Sequence, residues 1–365
     1  MRTTWMLLAV ASACGGSSPT LFDGSTRDAT HADGAQGIDA AIAPVADVYA
    51  SGYGGLVGFG LDGSGGLAPL GGTWPVQPQD QMIAIAVHPS GKYLYSANTS
   101  QSTIARLARD PATGQVTFVD DTASDSPAFV AMDPKGRALY VSEYTGKLRT
   151  YTIDASTGAL TDAGAITVPI HPYGIAIDPE ARVLVVAGAQ QPTGTITLCT
   201  LDAQTGKPTA GQTLGGGNFP VMVAIDATAT HVYTINDIDS TLQAYTIDPI
   251  AATGAPLATV STGTAVSSTG LVLAPSGKYA YVANNNGGLA SFAIAADGTP
   301  QAITSYPVYR PRGLGFDPSG AHLLVGGDDR QLTVFAADAQ TGTLTQGAVV
   351  DASVMGGYVV GAITR

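Results

Sequence analysis

Short apolar segments alternate with tight polar turns along nearly the whole chain, and this pattern occurs seven times. In each copy an apolar segment runs into a turn of the type Asp-x-x-Thr-Gly, and a second apolar segment follows. The turns begin at Asp62, Asp110, Asp154, Asp202, Asp248, Ala295 and Asp338. Repetition at a period of about 45 residues is typical of one supersecondary unit stacked on itself.

A second kind of turn precedes six of these hairpins, and it has the form Asp-Pro-x-Gly-Lys. Residues 88–92, 133–137 and 274–278 are examples. Proline presets φ in such a turn, and glycine supplies the positive φ that closes it. Each repeat therefore contains four short antiparallel strands, which is the composition of a propeller blade. The predicted fold is all-β, a seven-bladed β-propeller with four antiparallel strands per blade.

The first repeat lacks its inner strand, because it begins directly with the second strand at residues 48–50. The chain ends with an apolar run at residues 357–363 that has no hairpin partner of its own. We predict that this run is the inner strand of the first blade. Such a join would close the ring and leave no free sheet edge between the first and last blades.

The first 46 residues have a different character from the repeats. Residues 1–14 combine one arginine, a short apolar stretch and small residues before Cys14, which resembles the lipobox of a bacterial lipoprotein. A plain signal peptide is the alternative. Residues 15–46 are rich in small and polar residues, so we expect a disordered tether, and residues 47–365 form the propeller. The expected location is the bacterial cell envelope outside the cytoplasm, at the outer membrane or the surface, with the periplasmic side as an alternative.

Composition limits the partners that the protein can have. The net charge is −12 and only 16 lysines and arginines are spread over the chain, which argues against nucleic-acid binding. Apolar stretches are too short to span a membrane as a helix, so membrane association is expected through the lipid anchor only. We expect a monomer without a cofactor. Ca²⁺ held by the oxygen-rich residues 236–240 is the alternative.

The two ends of the predicted ring differ in their loops. The tight turns share one end, whereas longer and more varied loops share the other, so we place the site at the channel mouth on the variable end. The catalytic candidates are Arg312, which would polarise a carbonyl group, and His171 or Glu143 as the base. The ligand-binding candidates at the same end are Arg310, Tyr173, Asn218, Asp80, Asp125 and Asp328.

The segments YLYSAN, ALYVSE, HVYTIN and YAYVAN, each between the two types of turn, resemble the lactonase-like seven-bladed propellers over about residues 47–365. That family includes a phosphogluconolactonase and muconate-lactonizing enzymes. The resemblance implies matched positions at Pro172, Pro311 and Arg312, and an acidic residue at Glu143. It also implies histidines in catalytic members at the positions that Tyr173 and Gly313 occupy here.

The missing histidines and the predicted export determine the functional expectation. Without them the chain lacks the obvious base for activating water, and an exported protein does not meet a cytosolic sugar phosphate. We therefore expect a propeller that binds a small molecule or an envelope protein at the channel mouth without catalysis. The alternative is a lactone hydrolase acting on sugar or aromatic lactones, and a third hypothesis is a structural surface or adhesion module.

Overall fold

A computed structural model describes residues 44–70, 82–169, 171–264 and 267–352, together with the backbone of residues 355–364. Cys14, Asp80 and the predicted signal and tether lie outside the described residues. Blades one to three contain β1 (Ala46–Tyr53), β2 (Gly55–Leu61), β3 (Leu67–Pro69); β4 (Met82–Val87), β5 (Tyr93–Asn98), β6 (Thr103–Arg109), β7 (Val116–Ala123); and β8 (Pro127–Met132), β9 (Ala138–Glu143), β10 (Lys147–Ile153), β11 (Leu160–Thr167).

Blades four and five contain β12 (Pro172–Ile177), β13 (Val183–Gly188), β14 (Thr195–Leu201), β15 (Pro208–Gly215); and β16 (Pro220–Ile225), β17 (His231–Asn236), β18 (Thr241–Asp248), β19 (Thr253–Ser261). Blades six and seven contain β20 (Ser268–Leu273), β21 (Tyr279–Asn284), β22 (Gly288–Ile294), β23 (Pro300–Tyr306); and β24 (Pro311–Phe316), β25 (His322–Gly327), β26 (Gln331–Ala337), β27 (Leu344–Asp351). The last strand is β28 (Met355–Thr364). The described part of the chain contains no helix of the length and apolarity needed to cross a membrane.

The ring closes through β28, which pairs with β1 and completes blade one in the order β28-β1-β2-β3. The two strands are antiparallel, and Ala46 lies opposite Thr364 while Ser51 lies opposite Val359. The inner strands β4, β8, β12, β16, β20, β24 and β28 contact one another in sequence around the central channel. The predicted seven-bladed propeller, including its closure, is thus confirmed.

Apolar side chains fill the spaces between blades in seven clusters, one at each interface. The cluster between blades seven and one, for example, joins Val48 to Leu324. Removal of such side chains from water supplies most of the cohesion of stacked sheets. Cys199 lies in the cluster between blades three and four, fully buried, and burial raises the pKa of its thiol to about 12. It therefore packs as a small, unreactive apolar group.

In five of the seven blades, a tyrosine of the second strand links the blade to the next one. Each hydroxyl group donates a hydrogen bond to the carbonyl of the glycine that ends the Asp-x-x-Thr-Gly turn of the following blade. The pairs are Tyr49 with Gly114, Tyr95 with Gly158, Tyr140 with Gly206, Tyr233 with Gly298 and Tyr281 with Gly342, at 2.5 to 3.0 Å. The two repeated signals of the sequence thus meet at the blade interfaces.

Blades four and seven depart from this rule, because Val185 and Leu324 occupy the tyrosine position. The turn that Val185 faces in blade five departs as well, since Ala252 with φ of 48° stands where the other blades have glycine. Val185 and Ala252 belong to one apolar cluster. Loss of the donor and the change of the turn therefore occur together, and packing replaces the hydrogen bond at this interface.

Candidate functional site

The inner strands of blades two to seven all begin with a β-bulge. In blade seven Pro311 pairs with Gly327 and Gly313 pairs with Gly326, so Arg312 between them has no partner in the ladder. The same one-residue insertion occurs in β4, β8, β12, β16 and β20. A bulge redirects the side chain of the extra residue, and here this residue lies at the channel mouth.

The residue just before the inner strand has a left-handed backbone in blades three to seven. These residues are Ser126, His171, Phe219, Ser267 and Arg310, with φ between 41° and 64°. Each carbonyl accepts a hydrogen bond from the N–H of the first residue after the second strand, as Phe219 does from Asp237 at 3.0 Å. The geometry brings Tyr144, Asp237, Asn285 and Asp328 to the same end of the ring as the bulged residues.

A cavity of about 130 Å³ lies at this mouth, and blades two to seven all contribute to its lining. Its polar residues are Tyr173, Asp237, Ser267, Ser268, Thr269 and Arg312. Its apolar residues are Ile83, Phe129, Phe219, Val221 and Met222. A concave, largely apolar site with a few convergent polar groups is the usual form of a small-molecule site.

Arg312 is held in place by a bidentate ion pair with Asp328. Its Nε lies 2.6 Å from Oδ1 and its Nη2 lies 3.0 Å from Oδ2 of that carboxylate. Asn285 also donates to Asp328 at 3.2 Å, and the Nε of Arg310 lies 3.3 Å from it. Burial alone would raise the pKa of Asp328, but these hydrogen bonds and charges outweigh it and the pKa is lowered. The carboxylate is therefore ionised and fixes the orientation of Arg312.

Asp237 is the other charged group of the cavity, and its environment is different. Burial raises the pKa of its carboxyl group, and a hydrogen bond with Ser267 and the positive charge of Arg312 only partly oppose this. A carboxyl group with a raised pKa inside a cleft is a candidate for acid–base chemistry. Asp237 and Arg312 both line this cavity.

Tyr173 forms part of the wall of the cavity. Its ring meets that of Tyr144 edge to face, with centroids 5.8 Å apart, and its carbonyl accepts a hydrogen bond from Ser142 at 2.6 Å. Burial raises the pKa of its phenol, against the opposing effects of Tyr144 and Arg312. The hydroxyl group therefore stays protonated over the ordinary pH range and can donate a hydrogen bond to a ligand.

The predicted residue Glu143 is not among the residues that line the cavity. Its side chain is fully buried, and Oε1 accepts hydrogen bonds from Ser124 at 2.9 Å, from the N–H of Asp125 at 2.9 Å and from Arg149 at 2.7 Å. The column of the repeat to which Glu143 belongs continues with buried asparagines at positions 98, 236 and 284. These contacts hold together the loop and strands around the carboxylate. Its predicted role as a base stays a prediction.

Of the remaining predicted residues, Tyr173 and Arg312 line the cavity, and four others lie around it. His171 is exposed, and its carbonyl accepts a hydrogen bond from Ala189 at 2.8 Å. Asn218 donates its N–H to Asp239 at 2.7 Å, and Asp125 is half exposed beside Lys147 at 3.9 Å. Arg310 contacts Asn285 at 3.2 Å.

Sequence reasoning missed Asp237 as a member of the site and considered it only as part of an oxygen-rich loop. The signal was nevertheless present, because Asp237 occupies the same column of the repeat as Asp328, one residue after the second strand. In that loop Asn236 and Asp239 accept hydrogen bonds from the backbone of Gly217 and Asn218. The described residues contain no group of three potential metal ligands.

The model of the family described as "Lactonase, 7-bladed beta-propeller" matches residues 71–170, 182–307 and 222–357. The chain belongs to this family. The chain is 25% identical over 303 residues to a 6-phosphogluconolactonase of Formosa agariphila, a match that covers 71% of this chain and 82% of that protein. It is 30% identical over 147 residues to a 6-phosphogluconolactonase of Photorhabdus laumondii, covering 39% of this chain but only 44% of the relative.

Among solved structures, the periplasmic gluconolactonase of Pseudomonas aeruginosa has the same fold, with a TM-score of 0.74 at 17% identity over 87% of this chain and 99% of that one. The predicted resemblance to lactonase-like propellers is confirmed. The expectation of binding without catalysis is wrong, because the similar proteins are named as lactone hydrolases. That expectation rested on the missing histidines and the predicted export. It overlooked Asp237, which is another titratable group in the cavity at the channel mouth.

Proposed function

We propose that the protein is a lactone hydrolase whose active site is the cavity at the channel mouth. The observation that carries the proposal is that, in a propeller of the lactonase family, one cavity holds the guanidinium of Arg312 and the carboxyl group of Asp237. The first group can stabilise negative charge on oxygen, and the second can move a proton. Hydrolysis of a cyclic ester needs these two actions.

In the proposed reaction the lactone carbonyl oxygen faces Arg312. Asp237 takes a proton from a water molecule, whose oxygen forms a bond with the carbonyl carbon. Negative charge develops on the carbonyl oxygen, and a fixed guanidinium in a partly dry site stabilises it more than water would. The bond between the carbonyl carbon and the ring oxygen then breaks, and Asp237 returns the proton to that oxygen. The product is the open-chain hydroxy acid.

The pKa directions of the two carboxyl groups fit separate tasks. Burial raises the pKa of Asp237, which moves a general base toward neutral pH and makes it more effective. The lowered pKa of Asp328 keeps that carboxylate ionised, so that it holds Arg312 rather than taking part in proton transfer. Two similar side chains thus serve two purposes because their surroundings differ.

The test is the hydrolysis rate of a panel of sugar and aromatic lactones, followed by acid release. Asp237→Asn should lower kcat by about 10²- to 10⁴-fold, since it removes the base. Arg312→Ala should lower it by about 10²- to 10³-fold, since it removes the oxyanion donor. Asp239→Asn is the matched control, because this carboxylate lies on the same loop but contacts the backbone of Asn218, and it should leave the rate nearly unchanged.

His171→Ala and Glu143→Gln test the two bases predicted from the sequence in the same assay. Loss of activity in either variant, with Asp237→Asn unaffected, would move the role of base to that residue. A rate in the Arg312→Ala, Asp237→Asn double variant equal to that of the unmodified protein would remove the cavity as the active site. If the unmodified protein accelerates hydrolysis of none of the lactones, the proposal itself fails.

A further inference from the structure

We infer that the lactone taken at this mouth is a single, uncharged ring that carries no phosphate, an inference that rests on the proposed hydrolase function. It concerns the charge of the substrate, and it follows from how the cations at this end of the ring are already engaged. It also sets this chain apart from relatives named for a phosphorylated lactone.

The two arginines nearest the cavity share one carboxylate. Arg312 forms its bidentate pair with Asp328, and the Nε of Arg310 lies 3.3 Å from the Oδ2 of the same side chain. Recognition of a phosphate by arginine uses the planar fork of the guanidinium in the same bidentate manner. A phosphate at this place would therefore compete with Asp328 for the faces of both arginines.

Asp237 places a second carboxylate within the cavity itself. Two aspartates thus stand against two arginines, and the mouth offers little net attraction to an anion. A phosphate dianion would instead approach two carboxylates of like charge, and such a juxtaposition is costly in a partly desolvated site. A neutral lactone can bind to Arg312 through its carbonyl oxygen without disturbing the ion pairs.

Two further cations at this end are also paired with carboxylates, and a third, Arg330, lies on the same loop as Asp328 and Asp329. Lys147 lies 3.9 Å from Asp125, and Arg149 lies 2.7 Å from both Glu143 and Asp162. From residue 44 onward, the structure does not describe the side chains of residues 71–81, 170, 265–266 and 353–365. In these stretches the sequence contains a single cation, Arg365. The chain therefore has few positive charges with which to surround a phosphate.

The remaining walls suit an uncharged ring. Apolar side chains, among them Phe129 and Phe219, line much of the cavity. A volume of about 130 Å³ is close to that of an apolar protein cavity of about 150 Å³ that holds one benzene ring. One lactone ring fills this space, and substituents extend toward the rim.

The experiment compares kcat/KM for glucono-1,5-lactone and its 6-phosphate in the unmodified protein. The value for the phosphorylated compound should be lower than that for its phosphate-free counterpart by roughly tenfold or more. Added salt should narrow this difference by screening the carboxylates. Inorganic phosphate at millimolar concentration should leave the hydrolysis of glucono-1,5-lactone unchanged.

A pair of variants tests the cause of the preference. Asp328→Asn removes the carboxylate shared by the two arginines, so the ratio of kcat/KM for the two gluconolactones should shift several-fold toward the phosphorylated one. Asp329→Asn makes the same change of charge one residue away, at a carboxylate that accepts a hydrogen bond from the N–H of Gln331 at 3.1 Å, and should leave the ratio unchanged. If Asp328→Asn does not fold, the substrate ratio and the phosphate inhibition of the unmodified protein decide the question.

The outcomes separate the inference from the function on which it rests. Preference for the phosphorylated lactone, or strong inhibition by phosphate, would overturn the inference and leave a lactone hydrolase. An equal shift in Asp328→Asn and Asp329→Asn would remove the assigned cause and count against it. Failure to hydrolyse any lactone would overturn the proposed function instead.

Discussion

At the scale of single residues, Asp237 shows how a functional group opposes stability. Burial raises the pKa of its carboxyl group in the folded protein, whereas an unfolded chain has an ordinary aspartate pKa of about 3.9. The folded state thus binds the proton more tightly than the unfolded state. The free energy of unfolding therefore falls as the pH rises from the unfolded pKa through the folded one.

Asp237→Asn should consequently raise the melting temperature at neutral pH, because asparagine has the same shape and cannot ionise. The gain should disappear well below pH 4, where aspartate is protonated in both states. Thermal melting of the two proteins at several pH values measures this. A melting temperature lowered at neutral pH would mean that the ionised carboxylate stabilises the fold, which contradicts the assigned environment.

A second residue-scale feature is the buried ion pair between Arg109 and Asp47, which joins blades one and two. The side chains are 3% and 0% exposed. The Nε of Arg109 lies 3.1 Å from Asp47 and 3.0 Å from the hydroxyl of Tyr49, and its Nη1 donates to the carbonyl of Gly91 at 3.1 Å. Removal of one member of such a pair costs far more than the pair contributes, since the other charge stays buried.

Arg109→Ala should lower the free energy of unfolding by about 3–5 kcal/mol, since it leaves the buried charge of Asp47 uncompensated by a guanidinium. Arg106 on the same strand is the comparison, because its partner Asp120 is 51% exposed, and Arg106→Ala should cost only about 1 kcal/mol. Denaturant unfolding measures both. Adding Asp47→Asn to Arg109→Ala should recover part of the loss, and no recovery would argue against the assigned mechanism.

At the scale of strands and turns, the sequence predicted most of what the structure contains. Most turns carry glycine where φ is positive, as Gly136 and Gly158 show with φ of 71° each, whereas Ala181, Ala229 and Ala252 adopt this conformation in three others. The second-strand tyrosines fill the interfaces that their period-two burial indicated. These features depend only on neighbouring residues in the chain. Because the pattern occurs seven times, each copy strengthened the prediction for the others.

The position of the site side chains could not be predicted in the same way, because it depends on the bulges. One extra residue at the start of each inner strand changes which face a side chain occupies. Arg312 was predicted because the order of strands and loops places it at the variable end of the ring, and the resemblance pointed to its segment and to that of Tyr173. Glu143 and its successor Tyr144 differ by one position, yet the first is buried against Arg149 and the second meets Tyr173. Hydrophobic patterning carries no signal for this choice.

In blades four and six, close contact with the next inner strand depends on glycine at the position after the bulged residue. A Cβ added at Gly270 would lie 2.2 Å from the carbonyl oxygen of Arg312. Added volume in such a contact forces the backbone to shift. Because that carbonyl belongs to the bulged residue of β24, any displacement would move the guanidinium itself.

Gly270→Ala should therefore lower the free energy of unfolding by roughly 1–3 kcal/mol and the rate of lactone hydrolysis by about tenfold or more, since small misplacements of a catalytic group are costly. Gly215→Ala is the matched control, because a Cβ there meets nothing within 4 Å. Both variants are compared by melting and by kcat. Unchanged kcat in Gly270→Ala would show that the spacing of β20 and β24 does not position Arg312.

At the scale of the whole molecule, blade one is held together differently from the others. In blades two to seven a turn joins the inner strand to the second strand, whereas in blade one these strands are the last and the first of the described chain. Hydrogen bonds between β28 and β1 make the join, with Thr364 opposite Ala46. The inner strands β24 and β4 also contact β28, so one strand completes a sheet and the channel wall together.

A chain that ends at Ala352 should aggregate more than the full chain, because β1 then presents an unpaired edge and the channel wall is interrupted. Gel filtration and circular dichroism measure this. In a rearranged chain, residues 353–365 precede Val45 through an added Asp-Pro-Ser-Gly-Lys turn, which rebuilds the connection present in the other blades. Because Thr364 already lies opposite Ala46, this chain should recover the elution volume and the cooperative melting of the full chain. A shortened chain as stable as the full one would show instead that closure through β28 is not what holds the ring together.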